Sequence, residues 1–391
     1  MKKTVLPVLI DHSCKGHPLL PTAVKRRLPA WTNVSLTAKK LFGYASMRLQ
    51  DASNPKVATY QQVRSKADSM IDIFGHALAY EPTGIIVDAD PETKGDVSEL
   101  VGIAVGLAAA CKVFRVNPNR MSRFLTNATG KRMDFEFTVH RRRYSLEVRG
   151  TTWSNTQGSM LKAVSPKKQA PSSAGFAAHA GAVTLYSQGG TDDHVVVVDP
   201  PGKGGESNEL DELASVLEYY HNVYRLTHDA AGFCTYISRW LEQYRAGEAL
   251  QPPATPTKAQ RPRHRVSQRI RGVGTVRGTL FDRRILASSI AEYPSFELAT
   301  IALTDPTWFL GTMPKLDEIV AAGRWDELLA YDAGLLGPDD KETHGNEHAR
   351  DGLLASGVAV VRGALTDEET SAAAATFRLL RRQFERTQRN S

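Results

Sequence analysis

The sequence predicts an α/β protein with a mixed central sheet flanked by helices, and three observations predict it. Glu99 to Phe114 is apolar on nearly every side (Leu100, Val101, Ile103, Ala104, Val105, Leu107), as in a helix buried within a core. Met133 to Val139 and Tyr144 to Val148 alternate apolar and polar residues, as paired strands do. Gly181 to Tyr186 and His194 to Val198 are two further strand-like runs, separated by a Gly-Gly-Thr-Asp-Asp turn.

Taken in chain order, Val5 to Ile10 reads as a first strand. Met1-Lys2-Lys3 and the apolar residues after it faintly resemble a signal peptide. Asp11 and His12 cut that stretch short, and no small-residue cleavage site follows. No apolar run is expected to cross a bilayer, and a cytoplasmic location without membrane partners follows. Cys14, Cys111 and Cys234 are too scattered for a disulfide framework or zinc pattern. Cys14 and His17 read as a free thiol and a loop imidazole. From Tyr60 to Ala79, Val63, Ala67, Met70, Ile71, Phe74 and Leu78 recur at helical spacing, and Gly84 to Val87 is a short strand.

Ser98, preceded by Asp96, is the expected N-cap of the apolar helix, which turn residues Asn117 to Asn119 end. Phe124-Leu125 reads as a short strand before a turn at Asn127 to Gly130. The two alternating segments then form a hairpin joined by the basic turn His140 to Arg143. Pro166 and Pro171 argue against one long helix after Gly150, and a helix is expected from Ser172 to His179. A helical pair, Glu209 to Leu226 and Ala230 to Tyr244, carries aromatics suited to packing. The proline-rich stretch 251–265 is a linker, and 266–391 a C-terminal domain ending in a helix capped by Thr366 and Glu369. The division is therefore an N-terminal α+β region (1–91), a core with its helical extension (92–250), the linker, and a C-terminal α+β region.

Net charge is +7, which suits a polyanionic partner. Basic residues cluster at Lys25 to Arg27, His140 to Arg143 and Lys258 to Arg284. Other motifs exclude themselves. Gly202-Lys203-Gly204-Gly205 lacks phosphate-loop spacing, and Arg271-Gly272-Val273-Gly274 lacks a dinucleotide fingerprint. Asp339-Asp340 and His344 to His348 are residue types that can bind metal, though most polar stretches of this kind are exposed loops.

The acids on the polar strand faces carry the chemistry. Residues two apart on a strand share a face, so Glu147 and Arg149 do. If the hairpin brings Asp134 to that face, two carboxylates and a cation converge. Carboxylate oxygens are the ligands that Mg²⁺ prefers, and such an ion activates water toward a phosphodiester. The competing reading is a solvated strand face with cross-strand ion pairs, Arg149 joining Glu136 or Glu147.

Glu99 in the apolar helix, Asp134 in Met-Asp-Phe-Glu-Phe, and Glu147-Val148-Arg149-Gly150-Thr151 resemble the PD-(D/E)XK, or restriction-endonuclease-like, superfamily. The resemblance covers about a quarter of the chain. It implies a helix, three-strand, helix, strand core that hydrolyses phosphodiester bonds of DNA, or of RNA, with Mg²⁺ or Mn²⁺. It implies Asp134 and Glu147 as catalytic metal ligands, the Val148 carbonyl completing the coordination, and Glu99 reaching the metal directly or through water. Arg149 stands where the family has lysine. Arginine stays protonated, so it orients water or stabilises phosphate charge but cannot serve as a base. Three options stay open: a metal-bound hydroxide as base, a lysine supplied from elsewhere (Lys131, Lys162, Lys167 or Lys168), or an inactive core that binds nucleic acid or assembles with partners. The company the fold keeps implies restriction or anti-phage defence, with the remaining regions serving a homodimer or a protein partner.

Overall fold

In a computed structural model, the structure describes residues 3–45, 73–74, 77–90, 92, 94–123, 133–168, 175–186, 192–199, 209–227, 233–248, 266–270, 274–281, 307–331 and 356–363. Its elements run β1 (Thr4–Ile10), α1 (Thr22–Lys25), β2 (Ala30–Leu36), α2 (Ala38–Ala45), β3 (Leu78–Glu81), β4 (Gly84–Val87), α3 (Lys94–Phe114), β5 (Met121–Arg123), β6 (Phe135–Val139) and β7 (Arg142–Thr151). There follow α4 (Ser154–Lys168), β8 (Ala178–Leu185), β9 (His194–Val198), α5 (Glu209–Thr227), α6 (Phe233–Ala246), β10 (Val266–Ile270), β11 (Gly274–Phe281), β12 (Thr307–Thr312), α7 (Pro314–Ala321), α8 (Trp325–Ala330) and β13 (Val358–Gly363).

The α/β expectation holds. Seven strands form one mixed sheet in the order β2-β1-β9-β8-β7-β6-β5, so the N-terminal strands extend the same sheet as the acidic hairpin. β7 lies parallel to β8 and antiparallel to β6, near the sheet's centre. Both its faces are covered. On one, α3 lies so close that a Cβ on Gly106 would sit 3.0 Å from Val148 Cγ1. On the other, a Cβ on Gly181, the β8 partner of Glu147, would sit 2.6 Å from Val164 of α4. A strand packed on both faces buries its polar residues with its apolar ones, which is why Ser145 and Glu147 are buried.

The structure corrects several boundaries. The apolar helix starts at Lys94, so Ser98 lies inside it and is buried rather than capping it. By length and apolarity this 21-residue helix passes for a membrane span, contrary to expectation, but 89% of its apolar window is buried within the fold, as in a core helix. The hairpin turn is only His140 and Arg141, both at positive φ as a two-residue turn requires, and Arg142 and Arg143 belong to β7. No helix runs to His179. The helix lies earlier, at α4, which carries Pro166 near its C-terminal end, and His179 sits in β8. Leu78 and Ala79 are in β3 rather than on a helix. His17 lies in a loop, as expected, but it is buried and stacked on Phe114, with ring centroids 4.1 Å apart. Cys14 and Cys111 are free thiols, and both are buried.

The C-terminal sheet, β10-β11-β12-β13, is antiparallel throughout. Helix α5 packs against it and against β5 and β6 of the main sheet. Most of Tyr60 to Leu78, Phe124-Leu125, the 127–130 turn, Gly202 to Gly205, Arg271 to Val273, Asp339 to His348 and the Thr366 helix lie outside the described residues.

Candidate metal and phosphodiester site

The β6–β7 register places Phe135 opposite Leu146, and Asp134 N–H donates to the Leu146 carbonyl at 3.1 Å. One residue further on, Asp134 faces Glu147 across the ladder. Val148 N–H donates to Asp134 Oδ2 at 3.2 Å, which fixes the carboxylate against the end of the hairpin. In a strand, the N–H and C=O of one residue point to the same side, so the Val148 carbonyl also faces the Asp134 side.

Arg149 joins three acids. Its Nε lies 2.9 Å from Glu147 Oε1, Nη2 is 3.8 Å from Asp134 Oδ1, and Nη1 is 3.6 Å from Glu99 Oε1. Glu99 reaches the site because α3 crosses β7 at two glycines. A Cβ on Gly102 would lie 2.3 Å from Gly150 Cα, and one on Gly150 would lie 2.3 Å from the Ser98 carbonyl. Only the absence of both side chains permits this approach.

The Glu147 side chain is only 3% exposed. Its Oε1 also accepts from Lys167 Nζ, whereas Oε2 is buried with no hydrogen-bond partner among the described residues. Lys167 follows Val164 by three residues on α4, so the contact of Val164 with Gly181 aims Lys167 at the site. Burial, seconded by the negative Asp134, pushes the Glu147 carboxyl up to about 7, despite Lys167 and Arg149. Burial alone would lower Arg149, but Asp134, Glu147 and Glu99 together hold its pKa above the ordinary value.

The structure thus brings together Glu99, Asp134, Glu147, Val148 and Arg149, all expected from the sequence, and adds Lys167, one of four lysines considered there. Of the competing reading, the Arg149–Glu147 ion pair is present, but Glu147 is buried rather than solvated, and Glu136 pairs with Arg143. Lys162 is exposed, while Lys131 and the side chain of Lys168 lie outside the described residues. Among the described residues, no three His, Cys, Asp or Glu side chains form a ready-made metal centre. The donor set nonetheless fits a hard divalent ion completed by water: two facing carboxylates, one with an orphaned buried oxygen, and a main-chain carbonyl beside them.

A cavity of about 690 Å³ adjoins the acids, lined by Lys94, Ser98, Glu99, Arg149, Thr152 and Trp153 among others. Sequence reasoning missed Lys94, Ser98 and Trp153 as site residues. The one signal in the sequence was a tryptophan just beyond the Glu-Val-Arg strand. No protein-family model, curated protein or solved structure matches this chain.

Proposed function

We propose that the chain is a metal-dependent nuclease of restriction-endonuclease-like design, hydrolysing phosphodiester bonds of DNA, with a defence role suggested by that resemblance alone. The observation that carries this reading is the buried Glu147 carboxylate facing Asp134, with one oxygen held by Lys167 and the other without a partner. Burying a carboxylate with an unmet oxygen costs a few kcal/mol, a cost that ligand binding at this point would offset.

Asp134, Glu147 and the Val148 carbonyl would hold Mg²⁺ or Mn²⁺, with Glu99 reaching it through water. Such an ion, when bound, would supply positive charge beside the scissile phosphate and a water of lowered pKa. Arg149, with its forked donors, orients a phosphate oxygen. Lys167 places an ammonium on Glu147, which supplies from a neighbouring helix the lysine that β7 lacks.

One observation favours a second reading, a nuclease-fold module that binds nucleic acid without cutting it. The Arg149 guanidinium already lies within ion-pair distance of all three carboxylates. Incubation with supercoiled, linear and single-stranded DNA, and with RNA, in Mg²⁺, Mn²⁺ or EDTA separates the two. The nuclease reading expects cutting only with metal. Asp134→Ala and Glu147→Ala should each lower it at least about 100-fold without loss of fold, and Lys167→Ala on the order of 100-fold or more. Nucleic acid that is bound and never cut, with those variants behaving like the parent, establishes the binding module.

A further inference from the structure

The cavity beside the acids is built differently from the acids themselves. Trp153 stands at its rim with 61% of its surface exposed, one of two large hydrophobic side chains so exposed among the described residues. Its backbone is fixed at both ends. Trp153 N–H donates to Thr151 Oγ1 at 3.1 Å, and its carbonyl accepts from Gln157 N–H at 3.1 Å in the first turn of α4. A large ring exposed at the rim of a cavity, on a backbone fixed at both ends, offers a flat face on which a base can stack.

Across the cavity stands the N-terminal turn of α3. Lys94 lines the cavity and makes no ion pair among the described residues. Ser98, one turn further on, lines it too, is only 4% exposed, and its hydroxyl has no hydrogen-bond partner among the described residues. The start of a 21-residue helix favours negative charge, and of its first N–H groups that of Lys94 donates to the Asp90 carbonyl at 2.9 Å, while those that follow have no intrahelical partner. Gly95 leaves this turn open, since a Cβ there would meet nothing within 4 Å. Arg149 lines the same cavity and touches the carboxylates, so a strand occupying it would continue into the acidic site.

We infer that this cavity receives an unpaired nucleotide next to the phosphate at the acidic site, Trp153 stacking on its base while Lys94 and the start of α3 hold its phosphate. The inference rests on the nuclease reading for what happens at the acids, but not for binding. A base must be unstacked from its complement to lie on an indole, so the substrate is single-stranded or frayed at this position. Its sugar is left open by this geometry.

The test uses the full chain in EDTA and follows the fluorescence anisotropy of labelled 12-nucleotide single strands of DNA and of RNA, and of a blunt DNA duplex. Tighter binding of a single strand than of the duplex is expected, with one sugar or both. Trp153→Ala should weaken single-strand binding about 10-fold or more and erase the preference, whereas Trp31→Ala, at the equally exposed tryptophan on the far strand β2, should not. Lys94→Gln should lower the slope of log affinity against log salt by about 0.7. A single-strand preference unchanged by Trp153→Ala, or no single-strand binding at all, overturns the inference. Metal-dependent cutting that survives Trp153→Ala with unchanged binding leaves the nuclease standing without this subsite. Trp153-dependent binding without any cutting leaves the subsite standing without the nuclease.

Discussion

The molecule holds two clusters of buried polar groups, one where α5 meets the C-terminal region and one on β7. Where α5 meets the C-terminal region, Tyr219 OH and Ser356 Oγ are 2.8 Å apart, Tyr220 OH donates to the Ser356 carbonyl at 2.8 Å, and Asn119 Nδ2 donates to Tyr220 OH at 3.1 Å. Asp317 accepts from Tyr224 OH at 3.2 Å and from Thr312 Oγ1 at 2.7 Å. Hydroxyls and an amide do most of this work, and among the described residues of this cluster only Asn119 Oδ1 is left without a partner. The cluster on β7 has three carboxylates facing two cations, an orphaned Glu147 oxygen and two ion pairs longer than 3.5 Å. The first cluster joins two parts of the chain. The second sets three carboxylates against two cations and leaves a Glu147 oxygen unmet, the features on which the proposed cation site rests.

The difference implies opposite responses to substitution. The largest expected effect is at Glu147. Its folded pKa, about 7, lies above the ordinary 4.5, so the protonated acid stabilises the fold fully below pH 4.5. That contribution is lost as pH rises through 7. Glu147→Gln, which cannot ionise, should therefore melt like the parent near pH 4.5 and progressively higher than it toward pH 8 without metal, by on the order of a few kcal/mol. Melting curves that stay parallel across this range would mean that Lys167 and Arg149 already neutralise Glu147, and the contrast between the clusters would break.

A smaller effect is expected in the tyrosine cluster. Tyr220→Phe leaves the Asn119 amide and the Ser356 carbonyl without that partner and should cost about 1–2 kcal/mol in chemical denaturation, at every pH between 5 and 8. Metal-dependent cleavage should be unchanged. A Tyr220→Phe protein that is fully stable yet cuts poorly would show that this junction serves the chemistry rather than the fold.

The acidic pair was legible in the sequence because both its parts are local. Period-two alternation put Glu147 and Arg149 on one face, and a short hairpin turn set the register that brings Asp134 alongside. Lys167 could be no more than one of four lysines, because its position depends on how α4 docks through Val164 on Gly181, a contact between elements. The misplaced helix before His179 has a similar cause. β8 reads Ala-His-Ala-Gly-Ala-Val-Thr-Leu, is buried along its whole length, and so shows neither alternation nor strong β-propensity. Ser98 looked like a cap because local preference favoured it, but close packing of Gly102 on Gly150 buries that turn and the helix begins four residues earlier. The cavity residues were invisible for the same reason: Lys94 and Trp153 meet only through the crossing of α3, β7 and α4.

The claim beneath the account is that Asp134 and Glu147 share one divalent cation. Calorimetric titration of Mn²⁺ into metal-free protein at pH 6, run in two buffers of different ionisation enthalpy, measures it directly. The account predicts one Mn²⁺ per chain, bound with release of most of a proton, about 0.9, from Glu147, and with both binding and release lost in Glu147→Gln and Asp134→Asn. Absence of binding, or binding that those two substitutions leave intact, would contradict it.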